Sequence, residues 1–284
     1  MATVDEIETA CEQWLSQRKG KLMLQRTLYM VPGLEDEQAG CWIGGPNTIA
    51  DVWGPKIFSN WHLAVASRDL ANPAAWNAAN VRLIDFDANV LRATFLDFAT
   101  TVREIIARSY PFDGSTMGEY DIMGHSMGGL DAFMALVDDA DPANPVAPNA
   151  RIARAYNFIT MDTPYRGIPN VDARIAMSEP SKRSQCEAMR GGSPQLGLVD
   201  AAAARLPDRA VRITCYGVDS ASQIEVQSGN LYGDQKRFAA AIKASDYRFF
   251  QVPGASHSGP QGITQSVISI SNAFNTLTHA GRFS

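Results

Sequence analysis

Ser126, Asp219 and His257 are the residues of this chain whose types and order could do covalent chemistry together. A serine hydroxyl is a poor nucleophile until an imidazole takes its proton. A carboxylate must then hold that imidazole in the right tautomer and stabilise the cation that forms. Ser126 sits in Gly124-His125-Ser126-Met127-Gly128, with the apolar Tyr120, Ile122 and Met123 before it and a helical pattern after it. That order is strand, sharp turn, helix, with the hydroxyl at the apex. Gly124 and Gly128 leave room for strand and helix to approach closely. The helix start would turn backbone N–H groups towards the serine, so Met127 is one expected donor to an oxyanion. The turn Pro32-Gly33-Leu34, after an apolar run, supplies the second, Leu34. His257 follows the last apolar run, in Pro253-Gly-Ala-Ser-His-Ser-Gly259, where a base is expected. His125 lies inside the turn and is expected to point away from the site, while His62 and His279 belong to a long loop and a helix end. Asp219 is the first choice of acid; Asp162, after the preceding strand, is its rival and also reads as a turn-capping carboxylate. Glu225 stands third.

The elements that must hold these residues follow from periodicity. Helical spacing places Val4, Ile7, Cys11, Trp14 and Leu15 on one face, and Leu91, Phe95, Phe98, Val102 and Ile105 on another. Leu130, Phe133, Met134 and Val137 continue the helix behind the serine; 233–244 and the stripe Ile263–Leu277 make two more. Apolar runs at 26–31, 81–86, 155–160, 211–216 and 247–252 read as strands between them. Such alternation implies right-handed crossovers and a mainly parallel central sheet with helices on both faces. Functional loops of such a sheet gather beyond the carboxyl ends of the strands. Ser126, Asp219, His257 and the Gly33–Leu34 turn all fall at that edge.

Two stretches resist periodic reading. Residues 35–79 are rich in Gly, Pro and Asn, with at most a short helix near 60–72. Their four tryptophans (Trp42, Trp53, Trp61, Trp76) argue against disorder. Residues 165–209 read as irregular or weakly helical, either a lid over an apolar pocket or a surface excursion with one packing helix. The whole, 1–284, is expected to be a single domain. A net charge of −5 and no long basic run give nucleic acid no footprint. Cys11, Cys41, Cys186 and Cys215 show no zinc-type spacing, and free thiols in a reducing compartment are the expectation. No run reaches the ~18 apolar residues of a membrane span, and the N-terminus has no signal-peptide pattern. A soluble, cytoplasmic rather than secreted protein is therefore expected.

Gly124-His-Ser-Met-Gly-Gly-Leu130, Met161-Asp-Thr-Pro-Tyr-Arg-Gly167 and Asp219…Val226…Ser228…Tyr232-Gly233 with His257-Ser-Gly together resemble the α/β-hydrolase superfamily, and within it the lipases and serine esterases. The likeness runs over roughly 27–277, with Val31-Pro-Gly-Leu34 where many lipases carry His-Gly and Tyr165 where histidine is usual. It implies carboxylic ester hydrolysis through an acyl-enzyme, on a small-molecule or lipid ester, with no metal or organic cofactor. An acyltransferase, a polyester, lactone or thioester hydrolase, and a non-catalytic ligand-binding protein on the same fold are the alternatives.

Overall fold

A computed structural model describes residues 3–18, 26–34, 81–84, 93–109, 119–138, 154–204, 211–218, 228–234, 236–244, 246–258, 262–264 and 266–278. Among the described residues six strands form one sheet: β1 (Thr27–Val31), β2 (Val81–Leu83), β3 (Glu119–His125), β4 (Arg154–Met161), β5 (Arg212–Val218) and β6 (Asp246–Val252). Their spatial order is β2-β1-β3-β4-β5-β6, and every pairing is parallel. Only the first connection steps outward; from β3 onward the sheet grows steadily in the other direction. All carboxyl ends therefore open on one edge.

The helices are α1 (Val4–Arg18), α2 (Phe95–Ser109), α3 (Met127–Asp138), α4 (Val171–Met177), α5 (Pro180–Ala188), α6 (Pro194–Ala203), α7 (Ala239–Ala244) and α8 (Val267–Thr278). Local chemistry explains where several begin. Thr3 and Glu6 exchange hydrogen bonds across the first turn of α1, while Thr94 and Asp97 are bonded to each other at the start of α2. Ser193 accepts the Leu196 N–H at 3.1 Å and Pro194 opens α6.

Strand alternation divides the core in two. Tyr29 and Val31 of β1, Ile122 of β3 and Ile213 of β5 point to the face covered by α2, α3 and α6. Leu28, Met30, Met123, Tyr216 and Val218 point to the opposite face, under α1 and α8. Fully burying one such side chain contributes roughly 1.5–3 kcal/mol.

The 165–209 stretch is more regular than expected: α4, α5 and α6 occupy it. Their helical pattern is hard to read because Pro180, Gly191, Gly192 and Pro194 cut it into pieces of 7, 9 and 10 residues. Leu196, Val199, Ala202 and Ala203 are buried in the core beneath α3, whereas Leu198 and Met177 face outward. Arg166 pairs with Asp200 of α6, Arg237 also reaches Asp200, and the Tyr232 hydroxyl donates to the Ala203 carbonyl. The expected α2 stripe starts at Phe95, the expected 81–86 strand is described as Val81–Leu83, and α7 is shorter than 233–244. The 60–72 helix, the tryptophans at 42, 53, 61 and 76, Leu91, Cys41, His62, Glu225 and His279 lie outside the described residues.

Candidate active site

β3 passes straight into α3 at Ser126, whose φ of 54° is left-handed. A non-glycine residue there costs on the order of 1–2 kcal/mol, which the neighbouring packing must offset. Close approach supplies that packing. A methyl on Gly124 would stand 2.5 Å from the Gly128 carbonyl oxygen, and one on Gly128 would overlap the Pro32 carbonyl. The turn is also tied sideways, since the Ser126 N–H donates to the Met161 carbonyl of β4 at 3.0 Å.

Asp162, immediately after β4, is again left-handed, with φ 49°. Its N–H donates to the Tyr216 carbonyl of β5 at 2.7 Å, and its Oδ1 accepts a long 3.4 Å bond from the Val218 N–H. Gly229 lies behind it, where a methyl would be 3.3 Å from Oδ1. The residues after Asp162 are fastened to Ser228, whose hydroxyl accepts from the Arg166 N–H and donates to the Gly167 carbonyl, both at 3.0 Å. Tyr165 turns inward, fully buried edge-on to Phe133.

His257 follows β6 in a loop closed by Gly254 at φ 71° and by the Ile263 N–H on the Ser256 carbonyl. Its Nδ1–H donates to Asp162 Oδ2 at 2.7 Å, and its Nε2 stands 2.9 Å from Ser126 Oγ. A carboxylate can only accept, so Nδ1 carries the proton and Nε2 is left to accept from the serine. Ser126, His257 and Asp162 thus form one hydrogen-bonded chain, with the imidazole almost wholly buried, the carboxylate wholly so and the serine half-open.

Asp219, expected in the acid's place, lies outside the described residues, and the carboxylate on Nδ1 is that of its rival Asp162. The physical reason is register. β4 pairs directly with β3, so its end abuts the serine turn, and the left-handed turn at Asp162 brings its carboxylate to the imidazole. His125 also departs from expectation. It does not point away: its Nε2–H donates to the His257 carbonyl at 3.0 Å, and the two rings lie 4.9 Å apart. Burial first, and the neighbouring His257 second, push His125 down to about 3, so it stays neutral. Of the expected oxyanion donors, Met127 is the first residue of α3 and Leu34 lies just beyond β1. Gly33 packs so closely that a methyl on it would be 2.8 Å from Ser126 Cβ and 3.3 Å from Oγ. Among the described residues no cluster of acidic, histidine or cysteine side chains could hold a metal ion, and no helix is long and apolar enough to cross a membrane.

The same fold recurs in solved structures. The phospholipase PlaB from Legionella pneumophila, determined with thio-NAD, superposes with a TM-score of 0.55 at 14% identity. That match covers 89% of this chain and 57% of the phospholipase. The lin2722 gene product of Listeria innocua matches with a TM-score of 0.52 at 11% identity, over 88% of this chain and 92% of its own. A monoacylglycerol lipase of Paleococcus ferrophilus gives 0.50 at 12%, over 90% and 95%. The fold is that of the α/β hydrolases. The chain spans less than two thirds of the length of PlaB. No protein-family model matches it, and no curated protein does.

Proposed function

We propose that this protein is a serine hydrolase that cleaves carboxylic esters through an acyl-enzyme, in the manner of a lipase or esterase. The observation that carries the reading is the continuous chain from Ser126 Oγ through His257 to Asp162, at 2.9 and 2.7 Å. Ser126 attacks the ester carbonyl as its proton passes to His257 Nε2. Asp162 keeps the proton of Nδ1 in place and stabilises the imidazolium. The N–H groups of Met127 and Leu34 receive the tetrahedral oxyanion, and the α3 dipole adds to them. His257 then gives its proton to the leaving alcohol, whose departure leaves the acyl group on Ser126. Water then attacks the acyl carbonyl as its proton passes to the same imidazole; the bond to Ser126 Oγ breaks, the imidazolium returns the proton to Oγ, and the acid is released. Asp162 replaces Asp219 as the acid of this proposal, since its carboxylate already occupies the position that orients Nδ1. Lipases among the similar folds support an ester substrate with an acyl chain.

Hydrolysis of p-nitrophenyl esters from short to long acyl chains tests the reading. Wild type turns over, Ser126→Ala does not, and Asp162→Ala loses far more than Asp219→Ala. Equal turnover by wild type and Ser126→Ala would end the proposal. Adding an alcohol acceptor to the same assay separates hydrolysis from acyl transfer, with hydrolysis the expected outcome.

A further inference from the structure

We infer that His125 is a positioning residue for His257, and that its Nε2–H clamp on the His257 carbonyl sets the imidazole between Ser126 and Asp162. The inference rests on the proposed hydrolase reading for its catalytic consequence, but not for its geometry. His257 lies in a loop and receives direction from its ring through two contacts, Ser126 and Asp162. Those contacts fix where the ring points only if the backbone beneath it is fixed as well. His125 supplies that restraint from the sheet itself, because it is the last residue of β3 and adjoins the nucleophile. One strand end therefore carries both the serine and the group that holds the base to it.

Tautomers sharpen the argument. A carbonyl only accepts, so His125 must carry its proton on Nε2, whereas His257 must carry its own on Nδ1. Two imidazoles 4.9 Å apart are thus held in opposite tautomers by different partners. A neutral His125 also leaves His257 free to become cationic during the reaction without a like charge beside it. A lysine or arginine here would supply a donor but also a repelling charge. A phenylalanine would fill the space and supply neither.

The test uses three variants of the full chain: His125→Gln, His125→Asn and His125→Phe. The glutamine amide reaches about as far as Nε2 and can donate to the same carbonyl; asparagine stops short, and phenylalanine has no donor. Histidine-selective ¹⁵N NMR reads the tautomers of His125 and His257 and the hydrogen-bonded Nδ1–H of His257. Ester kinetics on the same samples separate kcat from KM. We expect the His257 Nδ1–H resonance to persist in wild type and His125→Gln and to vanish or broaden in His125→Phe and His125→Asn. We expect kcat to fall at least tenfold in His125→Phe and His125→Asn with KM within threefold, and His125→Gln to recover most of it. Thermal melting checks that each variant is folded, and His125→Asn serves if His125→Phe is not. An unchanged resonance and kcat in folded His125→Phe or His125→Asn would overturn the clamp, as would equal losses in His125→Gln and His125→Phe. If wild type shows no turnover yet the resonance follows this pattern, the hydrolase reading falls and the clamp stands.

Discussion

The two ends of the same sheet both bury polar groups, and they use them in opposite ways. At the carboxyl edge, Ser126, Asp162 and His257 sit on turns, two of them left-handed, and each polar atom is aimed at the next. Deeper in the sheet, towards the amino edge, Asp121 is fully buried inside β3, where its pairing with β4 shifts register between Tyr120 and Asp121. It accepts from the Asn157 backbone N–H at 3.1 Å and from the Asn157 amide at 2.7 Å. Arg26 and Arg212 stack on Tyr156 nearby, and Arg212 pairs with the Asp246 carboxylate at 3.4 Å. A residue inside a strand can project only perpendicular to the sheet; one on a turn beyond the strand can be turned towards a neighbour. The proposed chemistry lies at the carboxyl edge because the backbone there is free to aim side chains. At the other end Asp121 and Asn157 close on each other.

The largest test of that contrast sets one carboxylate against the other. Asp162→Asn is expected to lower kcat by about 10⁴-fold, by leaving the imidazole in the wrong tautomer. Asp121→Asn, assayed on the same ester, is expected to stay within about threefold of wild type. Similar losses in both would erase the functional distinction between the edges.

The edges should also titrate with opposite sign. His125 falls from 6.5 to about 3 in the fold, chiefly through burial. Unfolded chains therefore take up a proton below pH 6.5 that the native state refuses. Stability is complete above that pH and is lost as pH falls towards 3, by about 5 kcal/mol. Asp121 rises from 3.8 to about 6, again chiefly through burial, with the bonds to Asn157 and the charge of Arg26 opposing it. Its contribution is complete below pH 3.8 and is lost as pH rises through 6, by about 3 kcal/mol. Urea unfolding across pH 3–8 measures both. His125→Gln should flatten the acid limb, and Asp121→Asn should flatten the fall between pH 4 and 6. Asp131, wholly buried in α3 with no hydrogen-bond partner among the described residues, adds to that second slope, since burial holds its carboxyl well above the usual range.

The smallest effect belongs to exposed charge. Arg237 is half-exposed and meets Asp200 at 2.7 Å, and Asp200 keeps Arg166 when Arg237 is removed. Arg237→Ala should cost under ~1 kcal/mol in thermal or urea unfolding. A larger loss would mean that this pair holds α6 in place beyond what an exposed ion pair supplies.

Much of this was legible in the residues, for reasons that differ by element. Ser126 stands out because an apolar strand, a glycine-flanked serine and a helical stripe occur in one uninterrupted run. His257 stands out because only four histidines exist and one follows the last strand. The choice between Asp162 and Asp219 was not legible, since each comes directly after one of two neighbouring parallel strands. What favours Asp162 is the pairing of β4 with β3 and its own left-handed φ. The orientation of His125 had a signal in strand alternation. Met123 faces the side of the sheet that also holds Val252, Ala255 and Ile263, so His125, two residues on, faces the base loop. The helices of 171–203 were obscured because prolines and glycines divide them into pieces too short for a full apolar stripe.

Ser126 is proposed as a nucleophile activated through His257, and an active-site-directed fluorophosphonate reads that activation without any choice of substrate. Intact-mass analysis followed by peptide mapping would compare wild type with His257→Ala. One adduct per chain, on Ser126, is expected, forming rapidly in wild type and at least a hundredfold more slowly without the imidazole. A folded wild-type protein that stays unlabelled, or carries its adduct elsewhere, would contradict it.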